Sequence, residues 1–299
     1  MISNADAGTA DVEALEAALK ILRGSYSVDV QATGKPGELD SVLQRAASRR
    51  IVVAGGDGSL HEVVSALHRR RELDTAVLGL LPMGTGNDFA RSLDLPLDTA
   101  EAARVVVSGK VRRLDLVVDE LGDVVVNNVH VGAGAEASKR GAGIKERLGA
   151  IGVGRFNLGQ LGYPIGAVLS AFDDPSVHLH VEVDREVVTD VDDPVLMVSI
   201  GNGADIGGGT SVTPEADPAD GKVDVMISHA VGPLAKVGYA LHLRHGEHHR
   251  RGDVQYLRGS EVTISGGEFW ISADGEITGP ERQRSWHVEP AAYSFILPR

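Results

Sequence analysis

Apolar positions in the first 118 residues recur at helical and at strand spacing in turn. Apolar side chains from Val12 to Leu22 lie three or four residues apart, which predicts a helix with Thr9 or Asp11 as its N-cap. The further elements expected here are a strand near 28–30, a helix over 39–46, strands over 52–54 and 77–81, helices over 89–93 and 100–107, and a strand over 114–118. Alternating strands and helices predict an α/β fold with a parallel sheet.

After Asp119 the pattern changes to short runs in which apolar and polar residues alternate. The segment from Glu120 to Asp123 is typical of a hairpin turn. Strands are expected over 124–129, 179–183, 187–191, 195–200, 223–227, 262–264 and 269–272, and helices near 159–172 and 234–244. This pattern predicts an antiparallel β-sandwich, and the boundary between the two architectures is expected within 119–126.

A glycine-rich turn follows the apolar run that ends at Ala54. It reads Gly55-Gly56-Asp57-Gly58-Ser59 and leads directly into an apolar helix that starts at Leu60. Glycine lets the backbone approach a ligand, and amides at a helix N-terminus bind phosphate oxygens. Because Asp57 would repel a bare phosphate, a magnesium-bound phosphate is indicated. An ordinary tight turn capped by Asp57 or Ser59 explains the same residues.

A second turn of the same kind follows the run Val77–Leu81. Its sequence is Pro82-Met83-Gly84-Thr85-Gly86-Asn87-Asp88, and polar groups stand where a ligand would bind. Ligands of open α/β sheets bind at the carboxyl ends of the strands, and both turns lie there. Together, the two turns favour a phosphate site.

Composition limits the class of protein. Of 299 residues, 42% are hydrophobic and 24% charged, as in a globular protein. The net charge of −13 and the 4% aromatic content argue against nucleic acid as a partner. Cysteine is absent, and no apolar run approaches the roughly 20 residues that cross a bilayer. With no signal peptide evident, a cytoplasmic protein is expected.

Two acidic motifs in the second half have both a functional and an ordinary interpretation. Asp217 and Asp220, followed by Gly221 and Lys222, could hold a hard divalent cation or form a surface turn. Asp274-Gly275-Glu276 follows an expected strand, and its first carboxylate is placed for general-base work. An Asp-Gly hairpin turn is the common alternative.

Two basic stretches could contact anionic headgroups. One is His242–Arg251, which contains four of the eleven histidines, and the other spans 139–155 with apolar residues interleaved. For the first stretch a solvated helix end is favoured over a zinc site, because the HExxH spacing is absent, and for the second an ordinary surface helix is the more frequent outcome.

Together, the motifs resemble the diacylglycerol kinase catalytic family, specifically the soluble bacterial lipid kinases related to sphingosine kinases. The matches occur in order: GGDGS at 55–59, PMGTGNDFA at 82–90, GAGAEA at 132–137, GNG and GGG within 201–209, ADGKVDV at 219–225, and DGE at 274–276. GGDG alone is shared with NAD kinases and phosphofructokinases. Its combination with the second and last motifs is specific to lipid kinases.

The resemblance implies an NAD kinase-like fold with the active site in a cleft between two domains. These would be an α/β ATP-binding domain over 1–122, to which 283–299 return, and a β-sandwich domain over 123–282. It implies ATP and Mg²⁺ as cofactors, and a lipid substrate at a membrane surface as the partner. A peripheral position at the inner membrane surface and a homodimer are left open.

The resemblance also implies roles for individual residues. Asp274 would be the general base that accepts the proton of the lipid hydroxyl, and Glu276 would support it. Asp217, Asp220 and the carbonyl of Lys222 would bind a second, structural Mg²⁺. Contacts to the nucleotide and its magnesium-linked phosphates would come from Thr33, Gly55, Gly56, Asp57, Gly58, Ser59, Leu60, His61, Gly84, Thr85, Asn87 and Asp88.

The chain departs from the family pattern at several positions, and two other functions stay open. Ser59 stands for the usual threonine, Glu136 for a frequent aspartate, and Ala5 where proline is usual, after a curtailed first strand. One alternative is a kinase for a soluble acceptor such as NAD. The other is a nucleotide-binding regulator without turnover.

Overall fold

The structure, a computed structural model, describes residues 1–4, 9–34, 37–46, 50–133, 135 and 176–299. The chain divides into two units. The α/β unit comprises Met1–Leu116, Pro218–Gly221 and Glu289–Arg299, and the β-rich unit comprises Val117–Asp217 and Lys222–Val288.

The α/β unit is built on parallel strands. Its elements are β1 (Ile2–Asn4), α1 (Thr9–Arg23), β2 (Gln31–Thr33), α2 (Glu38–Arg45), β3 (Arg50–Gly55), α3 (Asp57–Arg69), a 3₁₀ turn (Leu73–Thr75), β4 (Val77–Pro82), α4 (Asp88–Ser92), α5 (Thr99–Ser108) and the first part of β5 (Lys110–Asp119). Strand β1 lies between β2 and β3, and β3 pairs with β4. The end of β16 (Glu276–Leu297) pairs with β4 on the other side, also in parallel.

Burial on both faces of β3 explains its continuous apolar sequence. Val52 and Ala54 join a core cluster with Ala18 and Leu22 of α1 and with residues of α5. Val53, which points to the opposite face, is also buried. Strands of a parallel sheet are usually covered on both faces, and the uninterrupted hydrophobic run reflects this.

The β-rich unit is antiparallel. Its elements are the end of β5, β6 (Val124–Val125), β7 (Asn128–Gly132), β8 (Leu179–Val183), β9 (Glu186–Thr189), β10 (Met197–Gly201), β11 (Asp205–Ile206), β12 (Thr210–Ser211), β13 (Val223–Ser228), α6 (Pro233–Arg244), a 3₁₀ turn (His248–Arg250), β14 (Val254–Gly259), β15 (Glu261–Ala273) and most of β16. The strand order is β14-β13-β10-β7-β15-β16, and β8 pairs with both β15 and β9.

Strand β15 belongs to both layers of a sandwich. Its first part pairs with β8, and its last residues pair with β7. Inward side chains of the two layers form one core, which includes Val181 of β8, Ile264 and Ile271 of β15, and Val129 of β7. The opposite face of β13 is covered by α6, where Tyr239 contacts Met226.

The α/β fold with an antiparallel sandwich confirms the expected fold class. Some details differ. The strand expected near 28–30 lies at Gln31–Thr33, and the segments 262–264 and 269–272 are parts of one long strand. The helix expected near 159–172 and the basic stretch 139–155 lie outside the described residues. Among the helices of the described chain, none is both long and apolar enough to cross a membrane.

Candidate functional site

The two glycine-rich turns of the α/β unit are in direct backbone contact. A Cβ added to Gly84 would lie 2.5 Å from the Cα of Gly56, and one added to Gly56 would lie 2.9 Å from the Cα of Gly84. Real Cβ atoms do not approach other atoms this closely. Both positions therefore require glycine, because any side chain would push the ends of β3 and β4 apart.

Polar side chains fix the second turn. Asn87 has a left-handed backbone (φ 53°), which asparagine tolerates better than most residues. Its side-chain oxygen accepts a hydrogen bond from the Gly84 amide (2.9 Å), and its side-chain nitrogen donates to the Gly84 carbonyl (2.8 Å). The turn is thus held in one conformation from within.

Asp57 joins the first turn to the second. Its carboxylate accepts hydrogen bonds from the backbone amides of Asp88 and Phe89, both at 3.0 Å. These are the first amides of α4, so Asp57 caps a helix that is 31 residues away in sequence. The alternative of a cap was expected within the first turn, whereas the structure places this capping role on the neighbouring helix.

The N-terminus of α3 is open to a ligand. Its N-cap is Gly56, in an extended conformation, and this residue has no side chain that could cap the helix. Gly58, which belongs to the first glycine-rich turn, is exposed, and a Cβ added there would meet no atom within 4 Å. Uncapped first-turn amides and the helix dipole together favour an anion at this position.

The other residues expected to contact the nucleotide lie at the end of a parallel strand, or in the turn or helix that follows one. Thr33 ends β2 and pairs with Asn4 of β1, next to the strand that carries Gly55. Thr85 is exposed in the second turn, whereas Leu60 is buried on α3. The ring of His61 lies 3.3 Å from the Ser65 hydroxyl, one turn further along the helix.

In the β-rich unit, Asp274 occupies the hairpin turn between β15 and β16. It has φ 48° and Gly275 has φ 89°, the left-handed pair that suits a tight hairpin. The carboxylate accepts backbone amides of Val126 (2.7 Å), Asn127 (2.9 Å) and Asn128 (3.1 Å). The turn interpretation is therefore right about the backbone, and three donors also hold the side chain in one orientation. Glu276, which opens β16, is exposed.

A buried polar network lies beside this turn, and the sequence did not predict it. The His130 ring lies 2.9 Å from the Asn128 side-chain oxygen and 2.7 Å from the Ser199 hydroxyl. Burial lowers the pKa of His130 to about 4, although the nearby negative charge of Asp274 opposes this shift. His130 is therefore neutral at neutral pH, and it supports Asn128.

Asparagines complete the network. Asn127 and Asn128 both donate from their side chains to the Asp205 carbonyl, at 2.9 and 3.1 Å. Asn202 of the Gly-Asn-Gly motif donates to the Val126 carbonyl at 2.8 Å. The only local signal was the Asn-Asn pair at the start of an apolar run.

A residue that sequence reasoning missed, Asp115 of β5, holds the expected metal turn in place. The carboxylate of Asp115, which is buried, accepts the amides of Gly221 (2.6 Å) and Ala291 (2.7 Å). The Asp115 amide in turn donates to the Pro218 carbonyl at 2.7 Å. Within the described ranges, no group of three or more His, Asp or Glu side chains could hold a metal ion. The assignment of Asp217, Asp220 and the Lys222 carbonyl to a cation stays a prediction.

Comparison with solved structures shows that other proteins share this fold. A diacylglycerol kinase from Bacillus anthracis str. Sterne has the same fold, with a TM-score of 0.76 over 99% of this chain and 95% of that one, at 22% identity.

Sequence comparison identifies the family. Residues 1–118 match the diacylglycerol kinase catalytic domain, and residues 141–297 match the YegS C-terminal NAD kinase beta sandwich-like domain. A diacylglycerol kinase of Staphylococcus haemolyticus is 29% identical over 87% of this chain and 76% of its own length. A Xanthomonas oryzae pv. oryzae protein named "Probable lipid kinase YegS-like" is 30% identical over 75% of this chain and 71% of its own. The chain belongs to this family of diacylglycerol and YegS-like lipid kinases. As a kinase, it uses ATP.

Proposed function

We propose that the protein transfers the γ-phosphoryl group of Mg-ATP to the hydroxyl of diacylglycerol or a related lipid, with Asp274 as the general base. The observation that carries this proposal is the contact between the two glycine turns, next to the uncapped N-terminus of α3. Such a place suits a polyphosphate, because backbone amides supply donors without side-chain bulk.

Phosphoryl transfer depends on positioning and charge neutralisation more than on covalent chemistry. The amides of Gly58 and Ser59 and the hydroxyls of Ser59 and Thr85 orient the phosphates. Asp88 would hold Mg²⁺, which would neutralise phosphate charge, because hard oxygen ligands favour this ion. Asp57 keeps the two turns together, since its carboxylate bonds the α4 amides.

In the chemical step, the acceptor oxygen attacks the γ-phosphorus and loses its proton to the Asp274 carboxylate. The bond from the γ-phosphorus to the bridging oxygen breaks, and ADP leaves. Three backbone amides support this role, because they fix the carboxylate in one orientation. Glu276 supports Asp274. The second, structural cation would be held by Asp217, Asp220 and the carbonyl of Lys222.

The direct test is Asp274→Asn, assayed with labelled ATP and detergent-dispersed diacylglycerol. We expect kcat to fall by a factor of about 10² to 10⁴, the usual value for a general base. ATP affinity, measured by calorimetry, should change little. Undiminished turnover would remove Asp274 from the reaction.

A parallel assay with NAD as acceptor distinguishes the soluble-acceptor alternative. Phosphate transfer to NAD in preference to lipid would overturn the proposed acceptor class. Failure to consume ATP with any lipid in a total extract would favour the regulator without turnover.

A further inference from the structure

Helix α6 of the β-rich unit carries an apolar stripe that faces solvent. Leu234 is 89% exposed, Leu241 55% and Val237 39%. These residues are spaced three and four apart, which places them on one side of the helix. Exposed apolar residues grouped in this way are the common mark of an interaction site, whereas scattered ones need no explanation.

The other side of α6 holds the helix in place. Tyr239 and Leu243 are buried in a cluster with Met197 and Met226. Since this face already supplies the packing that the fold needs, the exposed stripe is not required for stability. The helix therefore has two apolar faces, one packed against the core and one exposed to solvent.

Basic residues flank the stripe, although the chain as a whole is strongly acidic. On a helical projection, Arg244 and His242 lie on either side of the line through Leu234 and Leu241. Residues 233–251 contain Lys236, Arg244, Arg250 and Arg251 against Glu247 alone, a net charge of +3, whereas the chain carries −13.

Part of this positive charge is not neutralised. Arg251 pairs with Asp253 at 2.6 Å. In the part of the chain that the structure describes, neither Arg244 nor Arg250 forms an ion pair. The end of α6 therefore carries one uncompensated guanidinium group beside the apolar side chains, and the 3₁₀ turn that follows the helix carries a second, exposed one.

We propose that the outer face of α6, formed by Leu234, Val237, Leu241 and Arg244, together with Arg250 of the 3₁₀ turn that follows the helix, docks on the surface of an anionic phospholipid bilayer. The choice of a bilayer rests on the proposed lipid kinase function, because the acceptor resides in a membrane. The charge of the patch carries the argument further: arginines beside apolar residues suit anionic headgroups over acyl chains. A strongly acidic chain needs such a local patch to approach an anionic surface.

The test measures binding to sedimenting vesicles in the absence of ATP. Vesicles of phosphatidylglycerol and phosphatidylcholine in equal parts are compared with pure phosphatidylcholine. The double variant Leu234→Glu, Leu241→Glu should bind the anionic vesicles at least about tenfold more weakly, since it removes two apolar contacts and adds repulsion. Arg244→Gln and Arg250→Gln should each weaken binding about fivefold, and added salt should reduce the effect.

The chain offers a matched control. Leu121 (69% exposed) and Val187 (58%) lie in the same unit but outside the patch. The double variant Leu121→Glu, Val187→Glu introduces the same charge and should bind vesicles like the unchanged protein. Equal losses in both double variants would show a general charge effect and overturn the proposal.

Other outcomes also decide the question. If the unchanged protein does not bind anionic vesicles, the face is not a membrane surface. If instead the Leu234 and Leu241 variant turns a dimer into a monomer in gel filtration, the face belongs to a second copy of the chain. Because vesicle binding needs no turnover, a chain that binds vesicles but transfers no phosphate would refute the proposed function and leave the docking surface standing.

Discussion

At the residue scale, the glycines of the two turns separate into those that the fold needs and one that it does not. Gly56 and Gly84 touch through their backbones, whereas Gly58 has open space around it. Alanine is favoured over glycine by about 1 kcal/mol within a helix. A side chain at Gly58 therefore conflicts only with a ligand.

We accordingly predict that Gly58→Ala leaves the unfolding temperature unchanged or slightly raised and weakens ATP binding about tenfold or more. Calorimetric titration with ATP and thermal unfolding measure the two effects. The steric control is Gly84→Ala, which should destabilise the protein by about 1–3 kcal/mol through overpacking. Normal ATP affinity in Gly58→Ala would contradict the placement of the phosphates at this helix.

Residue roles could be predicted only as far as they depend on local sequence. The turn at Asp274-Gly275 follows from the dipeptide, because both positions adopt positive φ. The three amides that hold the Asp274 carboxylate come from residues nearly 150 positions earlier, at 126–128, and no local pattern reveals them. The same holds for Asp57, whose partners belong to another helix.

At the element scale, periodicity predicted the strands and helices that are long and regular. The expected helix over 234–244 is Pro233–Arg244, and the strand over 77–81 is Val77–Pro82. Short elements were missed or displaced because tertiary pairing decides them. Strand β2, which was expected near 28–30, has three residues at Gln31–Thr33 and exists through its pairing with β1. The boundary was expected within 119–126, and the two units meet slightly earlier, between Leu116 and Val117. Residues Pro218–Gly221 belong to the α/β unit, where the carboxylate of Asp115 binds the Gly221 amide.

The end of β16 adds a strand to the parallel sheet of the α/β unit, beside β4. Phe295 is fully buried, lies opposite Leu78 of β4, and packs edge-on against Phe89 at 6.3 Å between ring centroids. We predict that Phe295→Ala lowers the free energy of unfolding by about 3–5 kcal/mol. Amide hydrogen exchange in β3 and β4 should become faster.

A matched substitution in the same unit shows whether burial is the cause. Val111 is 49% exposed, and Val111→Ala should change the stability by no more than about 0.5 kcal/mol. Equal effects of the two substitutions on exchange in β3 and β4 would mean that β16 does not stabilise the sheet.

At the scale of the whole molecule, stability in acid depends on groups that are buried in an uncharged form. His130 has a pKa of about 4 in the folded protein against 6.5 for an ordinary histidine, because burial disfavours its charged form. The unfolded chain therefore binds the proton first as the pH falls. Its contribution to stability is complete above pH 6.5 and is lost between pH 6.5 and pH 4, by roughly 3 kcal/mol in total. Burial also lowers the pKa of His248, so this residue adds a further loss of stability as the pH falls.

We predict that His130→Asn removes this part of the pH dependence. The substitution lowers stability at neutral pH, since it opens a cavity beside Asn128 and Ser199, but the further loss on going to pH 4 should be smaller by about 3 kcal/mol. Urea unfolding followed by tryptophan fluorescence measures this, because both tryptophans, Trp270 and Trp286, lie in the same unit as His130. Identical pH dependence in the variant and the unchanged protein would mean that His130 takes up its proton in the folded state as readily as in the unfolded one. Protonation of His130 would then have to open the buried network around Asn128 at no cost in free energy. The two short hydrogen bonds of His130, to Asn128 and to Ser199, are incompatible with an opening that costs nothing.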